Sequence, residues 1–336
     1  MKVTKSLFVA LFMLGYCCTL KGQDVFAGRI YYDANDFEKS LAYYDRANIE
    51  HMDEQELCNY AMAAFFLGKY EKSLDITKHG LAQHPNHAAF NRLAFFNFAE
   101  LKEYNEALIY ADALFHKSDS ADFSYLDYTY YGNVLVGIQK IDEAISMYHQ
   151  ALKQKDIDVD NKKATIYRQL SLAYKEKEDF PNAITHYKDY LTLMKNPSAN
   201  DIAGLANLYL QHATTLENDE KTEALKLADA VYADLADRHE DAIEYATFMR
   251  ARVNAQIDTE QKNGLAKPYY EKLVELLTEK AEPNNTEKSR LKESYHYLIS
   301  YYLFIANDAT IAEFYAQKML IIDPDNDMAK QVMKTN

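Results

Sequence analysis

A small residue recurs eight times along this chain inside one local spacing, and this repetition constrains the fold more than any other feature. An anchoring side chain is followed after three residues by the small residue, after four more by an often bulky one, and after three more by another inward side chain. Residues spaced in this way share one face of an α-helix. Each copy therefore predicts the buried face of a helix packed closely against another. The small residues are Ser40, Ser73, Ala107, Ala144, Ala183, Ala224, Ala266 and Ala312.

The copies differ in how fully they keep this frame. Five are clear: Phe37/Ser40/Tyr44/Ala47, Tyr70/Ser73/Thr77/Gly80, Tyr104/Ala107/Ala111/Leu114, Ile141/Ala144/Tyr148/Ala151 and Phe180/Ala183/Tyr187/Tyr190. Three are weaker: Lys221/Ala224/Ala228/Val231, Asn263/Ala266/Tyr270/Leu273 and Ala309/Ala312/Ala316/Met319. The intervals between successive small residues are 33, 34, 37, 39, 41, 42 and 46 residues. A period that starts near 34 and lengthens predicts a repeat of two helices whose helices or loops grow along the chain.

The chain resembles the tetratricopeptide-repeat family over roughly residues 24 to 326. The run from Leu67 to Leu74, ending at His84-Pro85-Asn86, is similar to an almost complete second helix of that family with its closing turn. Gly28 and Gly132, each flanked by tyrosines, resemble the small first-helix position. The resemblance implies an all-α, superhelical solenoid of about eight helix-turn-helix repeats, with a concave groove lined by the first helix of each repeat.

Composition and domain organisation agree with this interpretation. Nine glycines and six prolines in 336 residues are too few for the many turns of a β-rich fold. We predict a signal peptide over residues 1–22, a solenoid over residues 23–326 that diverges at about 200–285, and a C-terminal capping helix or tail over residues 327–336.

The first 22 residues have the layout of a secretory signal peptide. Lys2 and Lys5 precede an apolar run from Leu7 to Leu14 that is short for a membrane span, and Gly22 offers a small residue before a cut. The mature chain is predicted to begin at Gln23 and to lie in the periplasm or at the outer envelope. The competing interpretation is a lipoprotein anchored through Cys17 or Cys18, but the bulky Tyr16 stands where such signals carry a small residue.

Charge and cysteine content narrow the classes of partner. Removing residues 1–22 deletes Lys2, Lys5 and Lys21 and no acidic residue, so the net charge changes from −14 to −17. Such a body repels phosphate backbones and anionic lipid surfaces, which argues against binding to nucleic acid or to membranes. Cys58 would remain as the mature chain's sole cysteine, and we interpret it as a packing residue rather than a reactive thiol.

The motifs of catalysis and metal binding are missing from the sequence. His79, His84 and His87 gather near one turn, but no acidic or thiol partner has ligand spacing, so we interpret them as solvated. Residues 156–161 imitate the start of a calcium loop but carry Asn161 at the required glycine, which favours a helix-capping loop. Phosphate-cradling, zinc-protease and serine-hydrolase motifs are also missing. We predict no cofactor, no metal and no enzyme activity.

The resemblance then places candidate binding residues on the first helices of the repeats. We predict a groove that binds a peptide or partner segment through Arg29, Met62, Phe65, Arg92, Phe96, Asn133, Arg168 and Leu172. Tyr32 and Thr129 face the same way in this register, with Tyr297 and Tyr301 near the far end. The family's clamp for a peptide carboxylate is not reproduced, because the matching positions carry Thr129 with Asn133 and Val25 with Arg29.

Two function classes remain. The favoured one is a non-enzymatic scaffold for protein–protein interaction in the bacterial cell envelope. The alternative is an accessory protein of glycan uptake or surface-layer assembly, against which the absence of Trp, the usual sugar-stacking residue, counts.

Overall fold

The computed structural model describes residues 22–118, 122–157, 160–280 and 282–334, and all regular secondary structure within these ranges is helical. The chain divides into two compact units, residues 1–159 and 160–336. Apart from Gly22, where the first helix starts, the predicted signal peptide lies outside the described residues. None of the helices in the described ranges is long and apolar enough to cross a bilayer.

The first unit contains four helix pairs, and from the second helix onward each helix packs against its neighbours in sequence. Their bounds are α1 (22–33), α2 (Phe37–Tyr44), α3 (Glu54–Phe66), α4 (Tyr70–Gln83), α5 (Ala88–Glu100), α6 (Tyr104–Asp112), α7 (Tyr125–Gly137) and α8 (Ile141–Leu152). A short 3-10 helix (Ile49–His51) follows α2, and a π-helical turn (Ala113–Lys117) extends α6.

The second unit contains four further pairs and a last helix. Their bounds are α9 (Asp160–Glu176), α10 (Phe180–Leu193), α11 (Ala199–Thr214), α12 (Asn218–Arg238), α13 (Ile243–Ile257), α14 (Lys267–Thr278), α15 (Asn285–Ser300), α16 (Ala309–Ile322) and α17 (Asp327–Lys334). A 3-10 turn (Glu240–Ala242) precedes α13, and a π-helical turn (Tyr301–Ile305) extends α15. The eight pairs confirm the predicted all-α repeat architecture.

All eight small residues of the repeating frame are buried, with exposed fractions between 0 and 4%. Seven of them lie within the second helix of their pair, and Ala266 stands directly before α14 as its N-cap. Two positions of the frame are wrong as helical positions. Ala47 lies beyond the end of α2, and Asn263 lies in the turn before α14, where its N–H donates to Asp258 Oδ2 at 2.9 Å.

Glycine at the predicted first-helix positions lets an aromatic ring of the second helix approach the backbone. A Cβ at Gly28 would overlap the ring of Tyr44, and a Cβ at Gly132 would overlap the ring of Tyr148. Both rings are almost fully buried. Tyr44 and Tyr148 are the bulky residues of the repeating frame. Each therefore packs against a first-helix glycine in the contact between the two helices of its pair.

The turn inside seven of the eight pairs follows a common rule that the sequence did not reveal. In seven pairs the residue five positions before the small residue has a positive φ, between 52° and 69°. In the first five pairs the next N–H bonds to the carbonyl five residues back, as Asp36 does to Tyr31, which closes the first helix in a Schellman turn. The residues with positive φ are Asn35, Gly68, Lys102, Gln139, Glu178, Gln261 and Asn307.

Candidate partner-binding surface

The eight predicted binding residues all lie on first helices, in the two units separately. Residues 1–159 hold six of them, on α1, α3, α5 and α7, and α9 of the second unit carries the other two. The far-end prediction holds less well. Tyr297 is buried in the second unit, with its ring centroid 4.7 Å from that of Tyr270, and so lines no groove.

Arg29 links the first two pairs rather than standing free. Its guanidinium forms an ion pair with Glu56, whose carboxylate is buried and also accepts a hydrogen bond from Tyr44 Oη at 2.9 Å. Glu56 is the third residue of α3, next to the unpaired N–H groups at the start of that helix. The side chain of Arg29 keeps 43% of its surface exposed, although Glu56 neutralises its charge.

Arg92 makes the same kind of link two repeats later, between the third and fourth pairs. Its Nε donates to Asp127 Oδ1 at 2.6 Å, and its Nη2 donates both to Asp127 Oδ2 at 3.2 Å and to the carbonyl of Asp122 at 2.7 Å. Asp127 is fully buried and is the third residue of α7, where it forms a capping box with Ser124. Arg92 therefore compensates a buried carboxylate, a role that the sequence alone does not indicate.

Phe65 and Phe96 belong to a row of aromatic rings that crosses α3, α5 and α7. Their ring centroids lie 6.3 Å apart, and Phe96 stacks on Tyr130 at 4.1 Å. Phe65 is half-buried whereas Phe96 is buried, so Phe65 is the more accessible of the two. Burial and the hydrogen bond that Tyr130 Oη donates to Glu100 at 2.6 Å raise the pKa of Tyr130. The phenol therefore stays neutral.

The remaining predicted residues of the first unit are half-buried. Tyr32 Oη donates to Met62 Sδ at 3.2 Å, which joins α1 to α3. Asn133 Oδ1 accepts from Tyr148 Oη at 2.8 Å, which joins α7 to its own partner α8. Side chains of successive first helices thus form a continuous set of contacts, and we call the row Arg29, Met62, Phe65, Arg92, Phe96 and Asn133 the first-helix row.

In the second unit Arg168 and Leu172 stand one turn apart on α9, and both are exposed. The charge of Arg168 acts on Tyr187, Tyr190 and Asp201, the third residue of α11. Burial opposes ionisation of Asp201, but hydrogen bonds from Ser198 and Tyr190 outweigh it and lower the pKa of this carboxyl group, with Arg168 adding to the effect.

A cavity of about 720 Å³ opens beside Arg92, between the ends of α3, α4 and α5. Glu54 lies in it with Oε1 3.1 Å from His84 Nδ1 and Oε2 3.4 Å from His87 Nε2. The local spacing of the histidines does not indicate Glu54, because this residue lies about 30 positions upstream of them. The cluster is not arranged as a metal site, and no other group of three His, Cys, Asp or Glu in the described ranges is.

Cys58 packs in the core of the first unit. Burial raises the pKa of its thiol to about 12, with the nearby carboxylates of Glu54 and Asp53 acting in the same direction. A thiol that is neutral at physiological pH and almost fully buried is a poor nucleophile, since the thiolate is the reactive form. Of the calcium-like segment, residues 158 and 159 lie outside the described part of the chain.

Comparison of the fold identifies its class. The crystal structure of the C-terminal part of a TPR repeat-containing protein from Cytophaga hutchinsonii is similar with a TM-score of 0.59 and 24% sequence identity, over 82% of this chain and 98% of that chain. MamA from Desulfovibrio magneticus RS-1 is more distant, at a TM-score of 0.44 and 19% identity over 52% of this chain and 94% of that chain. No protein-family model and no curated protein sequence matches. The fold is that of tetratricopeptide-repeat proteins, which confirms the resemblance.

Proposed function

We propose that this protein is a non-enzymatic scaffold of the bacterial cell envelope, which holds a peptide or partner segment along its first helices. The observation that carries the proposal is the first-helix row. Two arginines, Met62, Phe65 and Asn133 from four successive first helices remain in part accessible there, and Phe65 contacts the buried ring of Phe96. Aromatic and arginine side chains of this kind supply most binding energy in protein interfaces.

The contacts within the row determine which variants can test the proposal. Arg92→Ala would also leave the buried carboxylate of Asp127 without its cation, and Phe96→Ala would remove a buried ring. Losses of binding in those variants would mix with losses of stability. Phe65 and Met62 are half-buried at the surface of α3, and Asn133 is half-buried on α7, so they are the better probes.

The test is site-specific photo-crosslinking in the native cell. A photoreactive amino acid at Met62 or Asn133 is expected to capture one protein, and the same residue at the exposed Lys153, after α8, is expected to capture none. Phe65→Ala should then weaken binding of that protein by about 1 kcal/mol or more, with an unchanged circular dichroism spectrum. Equal capture from Lys153 would refute the assignment. Binding of oligosaccharides in calorimetry would favour the glycan-uptake alternative.

The envelope location rests on the signal layout of residues 1–22 and on the bulky Tyr16. Mass spectrometry of the protein purified from its native cell is expected to find Gln23 as the first residue. A diacylglyceryl group on Cys17 or Cys18 would show a lipoprotein instead, and an intact Met1 would refute export.

A further inference from the structure

An apolar groove runs between α10 and α12 of the second unit, on the side opposite to the helices that carry the predicted binding residues within each pair. Two adjoining depressions of about 520 and 390 Å³ form it, and Tyr209 and Leu227 line both. Second helices α10 and α12 are its walls and α11 is its floor. We call it the α10–α12 groove; it is separate from the first-helix row and does not depend on the proposed function.

The groove leaves apolar side chains exposed to solvent. Leu227 is 41% exposed on the wall of α12, and Leu191, Leu216 and Val231 are half-buried around it. The apolar residues of α10 that line it, Ile184 and Leu191, lie seven residues apart, so they follow one face of the helix. Exposed apolar strips framed by charged residues are typical of docking sites.

The order of the lining residues gives the groove its direction. The first halves of α10 and α12 line one depression, which begins at Pro181 and Glu220. Their second halves line the other, which ends at Thr192 and Arg238. The two walls therefore run parallel, as successive second helices do in stacked pairs. At 1.5 Å per residue, the stretch of α12 from Glu220 to Arg238 spans about 27 Å, which would accommodate a helix of about 16 residues.

Opposite charges mark the two ends. Glu220 and Glu223 line the end where α12 begins, and Glu223 forms an ion pair with the exposed Lys226 at 3.8 Å. Lys188 and Arg238 line the other end. Arg238 is paired with Asp234 at 2.9 Å, whereas Lys188 lies over the ring of Tyr209 at 5.4 Å from its centroid. When these ion-pair partners are counted, the second end has a net charge of plus one and the first a net charge of minus one.

We propose that the α10–α12 groove binds an amphipathic helix of a partner protein, oriented antiparallel to α10 and α12. In that orientation acidic residues in the first turn of the partner helix meet Lys188 and Arg238, and basic residues in its last turn meet Glu220 and Glu223. This is also the charge arrangement that stabilises a helix through its own dipole. The antiparallel direction further opposes the dipoles of both walls, so charge, length and apolar face specify the same ligand.

The test uses designed, stapled helical peptides of about 16 residues. All carry the same leucine stripe. One has acidic residues in the first turn and basic residues in the last, and another has these charges exchanged. Fluorescence anisotropy at low and physiological salt should show the first peptide binding about tenfold more tightly, with a difference that shrinks as salt rises. Equal affinities, a preference for the exchanged peptide, or no binding of either up to about 1 mM would overturn the proposal.

Three variants locate the binding. Leu227→Glu places a charge in the middle of the groove, and Ala230→Trp fills it without a charge; each should weaken the first peptide at least about tenfold. Glu220→Lys combined with Glu223→Lys should reverse the preference between the two peptides. The matched control is Ile109→Glu, at a site 59% exposed on α6 of the other unit, which should bind like the parent. Full binding by Leu227→Glu would place the peptide elsewhere.

Sedimentation of the protein without peptide tests the remaining alternative, which is that a second copy of this chain occupies the groove. A dimer that Leu227→Glu dissociates would mean that a second copy of this chain fills the groove, and the assignment to a partner helix would be wrong. A monomer at all concentrations, together with the expected peptide preferences, supports the proposal.

Discussion

Ser73 offers a sharp test of how far the repeating frame explains this fold. The frame places alanine at six of its eight small positions, so the pattern alone predicts that Ser73→Ala is harmless or stabilising. The structure predicts the opposite. Asn97 of α5 is fully buried, its Nδ2 donates to Ser73 Oγ at 2.8 Å, and its Oδ1 has no hydrogen-bond partner.

The magnitude follows from what the substitution leaves behind. Removing the hydroxyl changes the packed volume little, but it takes away the one hydrogen bond that the structure gives this amide. A buried donor left without an acceptor costs about 1–3 kcal/mol. Alanine in place of serine in a helix returns at most about 0.5 kcal/mol. We therefore expect Ser73→Ala to lower the free energy of unfolding by about 1–2 kcal/mol.

Urea unfolding followed by circular dichroism measures this difference. Ser40→Ala is the matched control, because Ser40 is equally buried but donates to the carbonyl of Gly28 at 2.9 Å, inside α1. That carbonyl keeps its place in the helix, so the loss should stay below about 1 kcal/mol. In the double variant Ser73→Ala with Asn97→Leu, an apolar side chain of similar shape replaces the stranded amide, and most of the lost stability should return.

Two results would refute this reasoning. If Ser73→Ala unfolds at the same urea concentration as the parent or Ser40→Ala, the amide has found another partner and the hydrogen bond carries no stability. If Asn97→Leu does not restore the loss, the cost lies in packing around the small position and not in the stranded donor.

Three further expectations concern other parts of the fold. Ala144→Leu, at a fully buried contact, should destabilise the protein by about 1–3 kcal/mol, whereas Leu at the exposed Lys153 should not; equal melting temperatures would mean that the helix register is wrong. Cys58, with its raised pKa, should react with a thiol reagent at pH 8 only after unfolding, and reaction at the rate of a free thiol would contradict its burial. Burial between aromatic rings lowers the pKa of His186, against the opposing effect of Asp189. As the pH falls, His186 is therefore protonated in the unfolded chain before it is protonated in the folded protein. Stability should therefore fall as pH drops below about 6.5, and His186→Gln should flatten that dependence in urea titrations; an unchanged slope would exclude this group.

The fold class could be predicted because the repeating frame is a local property. Spacings of three and four residues bring side chains together on any helix, so eight copies predict eight buried faces whatever surrounds them. In two copies, Gly28 and Gly132 also indicate where the ring of Tyr44 or Tyr148 packs on the first helix. Where the local pattern weakens, the prediction fails, as at Asn263, which lies in a turn held by Asp258 and not on a helix.

The binding residues could be predicted only as positions on first helices. Register determines which side of a helix a residue occupies, and the first-helix row follows it across α1, α3, α5 and α7. Register does not say what reaches that side from the next repeat. Register places Arg29 and Arg92 among the groove residues, yet Glu56 and Asp127, 27 and 35 residues further along, neutralise them.

The sequence by itself therefore determined the helices, their pairing and the buried face of each pair, because these depend on residues fewer than about four turns apart. Tertiary structure alone decided which polar groups are already paired and which surfaces stay open. Asn97 donates a hydrogen bond to Ser73, and Arg92 forms an ion pair with Asp127. A groove lies between α10 and α12 because α11 separates them. Such contacts depend on how one pair stacks on the next, and the spacing of residues within a single helix does not predict that stacking.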